Sequence, residues 1–201
     1  MLTVVGMGPA GTQLMTPQAK EAVARADALV GGARHLAQFP DFAGERCPLG
    51  ADIPQVLAWI NARAAQKVVV LASGDPLFYG IGTRLIAHFG RDNVQVIPGI
   101  SAVQYLCARA GIDMNDMWLT SSHGRDVCFD ALAAHRKVAM VTDRRCGPKE
   151  IAAALVARGK GHRWMVIGEN LAQDNERIHW LPVSEVHQDY DMNTVVILDE
   201  R

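Results

Sequence analysis

The chain has no Cys-x-x-Cys pair, no run of charge of one sign and no apolar stretch approaching the ~20 residues of a membrane span. Cys47, Cys107, Cys128 and Cys146 stand far apart, which argues against a disulfide framework or a zinc site and for small buried thiols in a reducing compartment. Twenty basic and 21 acidic residues leave a net charge of −1, and no arm or stripe of Lys/Arg marks a nucleic-acid surface. No set of His and Cys has ligand spacing, so no protein-bound metal is expected. The first residues enter an apolar run at once, with no basic leader, so the protein is expected to be cytoplasmic and away from membranes. What remains is a chain of 201 residues, 49% hydrophobic, which is enough for one large or two small packed domains.

Hydrophobic periodicity orders those domains. Strands are predicted at residues 2–5, 28–30, 67–71 and 94–97, and helices at 17–25, 53–64, 78–89 and 101–109, with a loop at 40–50. Thr16-Pro17 supplies an N-cap and a first-turn proline for the first helix. Alternating strand and helix is the pattern of a parallel sheet with crossovers. After a linker at 111–115 come strands at 117–121, 138–142 and 164–167 and helices near 129–134 and 148–158. Strands at 177–181 and 194–198 then follow without a long helix between them, which implies an antiparallel or mixed edge. The expected fold is α/β, with a parallel-sheet domain over 1–110, a mixed-sheet domain over 116–201 and a ligand cleft between them.

Four glycine turns follow β-branched runs: Gly6-Met7-Gly8-Pro9-Ala10-Gly11, Ser73-Gly74-Asp75-Pro76, Pro98-Gly99-Ile100-Ser101 and Gly168-Glu169-Asn170. Each is expected to expose bare main chain to a polar small molecule. The first satisfies G-x-G-x-x-G, but the helix starts only at Thr16-Pro17, Pro9 removes an N–H, and Gly31-Gly32 stands where a ribose-binding acid belongs. A dinucleotide is therefore excluded. No lysine follows any loop in the manner of a P-loop. Asp75-Pro76 fixes a turn, with Asp75 either an N-cap or an acceptor for a ligand.

Val5-Gly6-Met7-Gly8-Pro9 with Leu14-Met15-Thr16, Gly74-Asp75-Pro76-x-x-Tyr79-Gly80 and Pro98-Gly99-Ile100-Ser101-Ala102 resemble the tetrapyrrole methylases, over nearly the whole chain. The resemblance implies a class III fold, S-adenosylmethionine as methyl donor, a tetrapyrrole substrate and a homodimer. Ser121-Ser-His-Gly-Arg125 and Gly168-Glu-Asn-Leu171 with Glu176-Arg177-Ile178 are most similar to the branch that methylates carbon 5 of precorrin-7 in cobalamin biosynthesis. With its end at Arg201, the chain is expected to be the stand-alone form, acting on the cobalt-bearing substrate. Where the family commonly reads Gly-Pro-Gly-Asp, this chain has Pro9-Ala10-Gly11-Thr12, so no acidic residue stands in the first loop.

By that resemblance the donor touches Pro9, Ser73, Gly74, Asp75, Phe78, Ser101, Ala102, Thr142 and Leu171. Arg125 and Arg144, with Arg145 beside it, are candidates for pairing with substrate carboxylates, and His123 for a proton relay near neutral pH. No side-chain nucleophile is expected, because the sulfonium is already activated and the nucleophile is a ring carbon of the substrate; the base that removes the proton after transfer is left open. Tyr79, His35, Trp59 and Trp164 are read as packing residues. Glu169-Asn170 either fix the loop beside the donor or cap a strand. A branched side chain at position 74 is expected to block the donor while sparing the fold. The alternatives are another precorrin methylase, diphthine synthase, or a catalytically idle nucleoside-binding module.

Overall fold

The structure is a computed structural model that describes residues 1–9 and 11–201; Ala10 of the first glycine motif lies outside them. The chain divides into two compact units, Met1–Ser101 and Ala102–Arg201. In the first, β1 (Leu2–Gly6), β2 (Ala28–Gly31), β3 (Glu45–Pro48), β4 (Val68–Ala72) and β5 (Val94–Ile97) form one parallel sheet in the order β3-β2-β4-β1-β5. The continuous apolar runs of β1 and β4 are buried along their whole length, as strands covered on both faces must be.

Two helices cover each face. From α1 (Pro17–Ala24) and α2 (Ala33–Leu36), Ala19, Val23 and Leu36 pack on Val5, Leu29, Val69 and Leu71. From α3 (Ile53–Asn61) and α4 (Gly82–Phe89), Val56, Ile60 and Leu85 pack on Val4, Val30, Val70 and Ala72. Odd and even strand residues thus serve opposite cores, the period-two rule of a pleated strand. The chain leaving β1 passes to β2 by way of α1, and the chain leaving β4 passes to β5 by way of α4, so the two central strands send their connections to opposite faces. Such a switch point is where open parallel sheets hold ligands.

The second unit begins with α5 (Ala102–Ala110). It also contains β6 (Trp118–Ser121), α6 (Phe129–Ala134), β7 (Lys137–Val141), α7 (Pro148–Val156), β8 (Trp164–Glu169), β9 (Arg177–Pro182) and β10 (Asn193–Leu198). The sheet order is β6-β7-β10-β8-β9, with only β6 and β7 parallel. The expected mixed sheet is present, and antiparallel pairing reaches its centre through β10 as well as its edge. Leu132, Ile151 and Leu155 from α6 and α7 bury one face with Met140, Ile167 and Val195.

Local signals fixed several boundaries. Thr16 Oγ1 accepts from Ala19 N at 3.2 Å, capping α1 as its sequence implies. Pro148 opens α7, where Glu150 Oε2 accepts from Gly147 N at 3.0 Å. Other features escaped periodicity. The segment 40–50, expected to be a loop, contains β3, whose exposed and half-buried edge residues give no apolar alternation. The helix expected from residue 78 starts at Gly82, because the preceding residues form a turn that folds back on the Pro76 carbonyl. The helix 102–110, counted with the first domain in the sequence reading, falls in the second unit. Of the thiols expected to be buried, Cys107 is, Cys47 and Cys146 are half-buried, and Cys128 is exposed; all four are free. Among the described residues no helix is long and apolar enough to cross a membrane.

Arg163 is the largest fully buried side chain of the second unit. Its guanidinium donates to Leu132 O at 3.1 Å, His135 O at 2.7 Å and Arg136 O at 2.8 Å, closing the end of α6 and the approach to β7. Its Nε lies 2.8 Å from Asp199 Oδ1 as an ion pair, without an N–H aligned on that oxygen. Replacing Arg163 by Met keeps the volume and strands these carbonyls. The expected cost is about 3 kcal/mol, from the desolvation of unpaired acceptors. Chemical denaturation checks it; an unchanged midpoint would remove Arg163 from the structural framework.

Candidate active site

In the first unit, β4, β1 and β5 end side by side, and the turns after them are joined main chain to main chain. Gly8 N donates to Gly74 O at 3.2 Å and Gly74 N to Gly8 O at 3.1 Å, while Met7 N donates to Ala72 O at 2.8 Å. A Cβ on Gly6 would stand 2.6 Å from Gly74 O and overlap the Gly99 main chain. A Cβ on Gly99 would stand 2.6 Å from Gly6 Cα. Gly74 itself has φ +61°. These glycines are therefore small first because three backbones occupy a space that admits no side chain. A valine at 74 would also force a branched residue into the left-handed region, so that substitution strains the fold rather than sparing it.

Asp75 is not a helix cap, since the helix begins seven residues later. Its Oδ1 accepts from Leu77 N at 2.8 Å and its Oδ2 from Gly99 N at 3.1 Å, so the carboxylate ties the turn after β4 to the turn after β5. Gln38 does the same for the first loop, accepting from Thr12 N at 2.8 Å. The candidates Pro9, Ser73, Gly74, Asp75, Phe78 and Ser101 all sit on these joined turns. Pro9, Gly74 and Ser101 are buried, Asp75 and Phe78 half-buried, and Ser73 exposed. Ala102, half-buried, is the first residue of α5 in the second unit.

The second unit gathers its own candidates at one end of its sheet, where β6, β7 and β8 finish and β10 begins. Thr142 Oγ1 lies 2.8 Å from Asn193 O and 2.6 Å from Asn193 Oδ1. Leu171 is buried between Asn170 and Ala172, at φ +49° and +59°. Glu176 holds that turn, accepting from Ala172 N at 2.6 Å and from Arg109 Nε of α5 at 2.8 Å. Leu171 and Leu106 lie over Gly168, so the fourth glycine corner is covered by leucine rather than bare. Glu169 fixes the loop before β10: its Oε1 accepts from Asp191 N at 2.7 Å, and its Oε2 lies 3.2 Å from His179 Nε2. Asn170 N donates to Met192 O at 2.8 Å.

His123, Arg125 and Arg144 are exposed on the loops after β6 and β7. Ser122 and Asp143, which the sequence reading passed over, lock those loops. Ser122 Oγ donates to Cys146 O at 2.8 Å and accepts from Asp143 N at 3.1 Å. Asp143 accepts from Gly124 N at 3.1 Å, Arg145 N at 2.9 Å and Cys146 N at 3.1 Å. An aspartate directly after a strand and ahead of two polar residues is the signal of an Asx turn that would have found it. Arg125 lines a pocket of about 290 Å³ together with Arg145, whereas Arg144 does not line it. Burial pushes the Cys107 thiol up to about 11 and raises those of Cys47 and Cys146, so these three remain protonated, weak nucleophiles at neutral pH.

Joined glycine turns at a parallel-sheet switch point mark an α/β protein that takes a small ligand, and the comparisons with known proteins give its class, a methyltransferase. The chain belongs to the tetrapyrrole (corrin/porphyrin) methylases, whose family profile matches residues 1–187. It is 77% identical over 201 residues to the cobalt-precorrin-7 C(5)-methyltransferase of Salmonella typhimurium, covering 100% of both chains. It shares its fold with the precorrin-6Y methylase of Archaeoglobus fulgidus (TM-score 0.77, 24% identity, 100% and 99% of the two chains). It also shares it with a Thermus thermophilus uroporphyrin-III C-methyltransferase solved with S-adenosylhomocysteine (TM-score 0.80, 19% identity, 98% and 97%).

Two outcomes follow from the geometry. Gly99→Ala forces a Cβ against main chain that cannot move aside, and should cost about 3 kcal/mol, the upper range for overpacking. Chemical denaturation reads this, and a loss of a few tenths would mean the turns are not in register. Hydrogen bonds from Gly124, Cys146 and Arg145 hold the Asp143 carboxyl below the usual aspartate range, against a smaller effect of burial. Its contribution is full above about pH 4, the unfolded value, and is lost as pH falls through the depressed folded value. The melting-temperature gap between the native protein and Asp143→Ala should therefore be constant from pH 5 to 8 and narrow below pH 4. A gap independent of pH would remove the clamp.

Proposed function

We propose that this protein transfers a methyl group from S-adenosylmethionine to carbon 5 of cobalt-precorrin-7 in cobalamin biosynthesis. The observation that carries the reading is 77% identity over the full length of both chains to the Salmonella enzyme of that activity. The cobalt belongs to the substrate.

The joined turns fit the donor. Asp75 is the single acidic residue in the loops after β1, β4 and β5, and its carboxylate is engaged by Leu77 N and Gly99 N. Main-chain groups, not a free carboxylate that would compete for the methyl, are thus what these turns offer a sulfonium. When bound, the donor supplies a methyl whose bond to sulfur breaks with its electron pair left on sulfur, while the ring carbon provides the pair for the new bond. The chain's part is alignment, and orientation of this kind is worth on the order of 7–11 kcal/mol. Pro9, Ser73, Gly74, Asp75, Phe78 and Ser101 of the first unit are proposed to hold the donor, and Ala102, Thr142 and Leu171 of the second are proposed for the same role. Thr142 is fixed for that task by Asn193, and Leu171 by Glu176.

Arg125 is proposed to pair with a substrate carboxylate, supported by its place beside Arg145 in one pocket. Arg144 and His123 stand on the neighbouring loops and are proposed for the rim of the same surface. The methylated ring discharges its added positive charge by losing one proton. A homodimer in the cytoplasm completes the reading, supported by the family resemblance.

The test is incubation with labelled donor and either cobalt-precorrin-7, metal-free precorrin-7 or a protein acceptor. Mass and NMR position of the new methyl are the readouts. Label at carbon 5 of the cobalt substrate is expected; label at carbon 15 or on protein would overturn the reading. In the same assay Arg125→Ala should raise KM for the tetrapyrrole about tenfold, the equivalent of about 1.4 kcal/mol, with donor affinity unchanged.

A further inference from the structure

Tyr79 has φ +55°, a left-handed conformation in which a bulky L-residue is an outlier. Its surroundings impose it. Phe78 N donates to Asp75 O at 3.3 Å and Gly82 N to Pro76 O at 2.9 Å, so the segment 75–82 folds back on itself. A Cβ on Gly80 would lie 2.6 Å from Pro76 O, so the turn is closed too tightly to admit a side chain there. Glycine would occupy position 79 without strain, and asparagine with little. The chain instead spends the strain on an aromatic ring that is 37% exposed, set edge-on to Phe78 with the centroids 5.1 Å apart. Strain kept at a position that does not serve the core points to use by a ligand.

The same loops carry two more apolar side chains in solvent, Leu77 at 48% and Ile100 at 38% exposure. Asp75 couples them, since it accepts from the N–H of Leu77 and from that of Gly99, the neighbour of Ile100. Exposed apolar groups therefore stand on two of the three turns assigned to the donor.

We propose that Tyr79, with Leu77 and Ile100, is an apolar platform for the flat face of the tetrapyrrole ring, and that Tyr79 sets the ring's position for methyl transfer. The inference rests on the substrate reading given above. Stacking on the phenol ring is the interaction, so the ring and not the hydroxyl is required.

The experiment compares the native protein with Tyr79→Gly and Tyr79→Phe in steady-state turnover of cobalt-precorrin-7, donor calorimetry and thermal melting. Tyr79→Gly should melt no lower than the native protein, because the strain is relieved. It should retain donor affinity within twofold and raise KM for the tetrapyrrole at least tenfold. Tyr79→Phe should stay within twofold of native in all three. Turnover by the native protein with an unchanged KM in Tyr79→Gly would overturn the platform alone. A melting temperature several degrees lower in Tyr79→Gly would assign Tyr79 to packing and overturn it as well, as would a Phe variant as impaired as the glycine one. Absence of turnover by the native protein would sink the substrate assignment and the platform with it.

Discussion

Three strand ends of the first unit meet with nothing between them but main chain, and this contact governs the rest of that half of the molecule. Gly6, Gly74 and Gly99 approach so closely that a methyl group on Gly6 or Gly99 would overlap its neighbours. The reciprocal bonds between Gly8 and Gly74 and the two acceptor roles of Asp75 then convert three separate loops into one rigid corner. The geometry of the corner is thus set more by main chain than by any single polar side chain.

The second unit reaches the same end with side chains. Ser122, Asp143, Thr142, Asn193 and Glu169 bridge neighbouring connections at the end of the mixed sheet, and Glu176 ties the β8–β9 turn to α5. An antiparallel neighbour is what makes this possible. β10 begins where β7 and β8 end, so Asn193 and Asp191 lie within reach of Thr142 and Glu169. The first sheet, wholly parallel, has no incoming strand at the matching end, and its turns hold one another mainly by main chain, with Asp75 as the side-chain tie.

Much of this was legible from residues alone, and the failures have physical causes. The caps at Thr16 and Pro148, the parallel order of the first half and the change of rhythm after residue 170 all arise from local chemistry, which sequence carries directly. β3 was hidden because an edge strand with exposed side chains has no burial pattern to display. The glycine turns were found, but their first purpose was misjudged: that Gly6 abuts Gly99, 93 positions on, is a fact of tertiary packing. Asp75 likewise reads as either a cap or a ligand acceptor, because its partner Gly99 N lies 24 residues away. Tyr79 reads as a packing residue by its type, and its backbone angle and 37% exposure, neither visible in sequence, set it apart.

The corner at the first sheet is assembled from amides and carbonyls, groups that neither gain nor lose a proton anywhere enzymes operate, with Asp75 as its sole ionisable member. The reciprocal bonds between Gly8 and Gly74 therefore depend on no protonation state. The loops of the second unit, by contrast, are held by the carboxylates of Asp143, Glu169 and Glu176. One half of the molecule is fastened by neutral groups, and the other half by groups that carry charge.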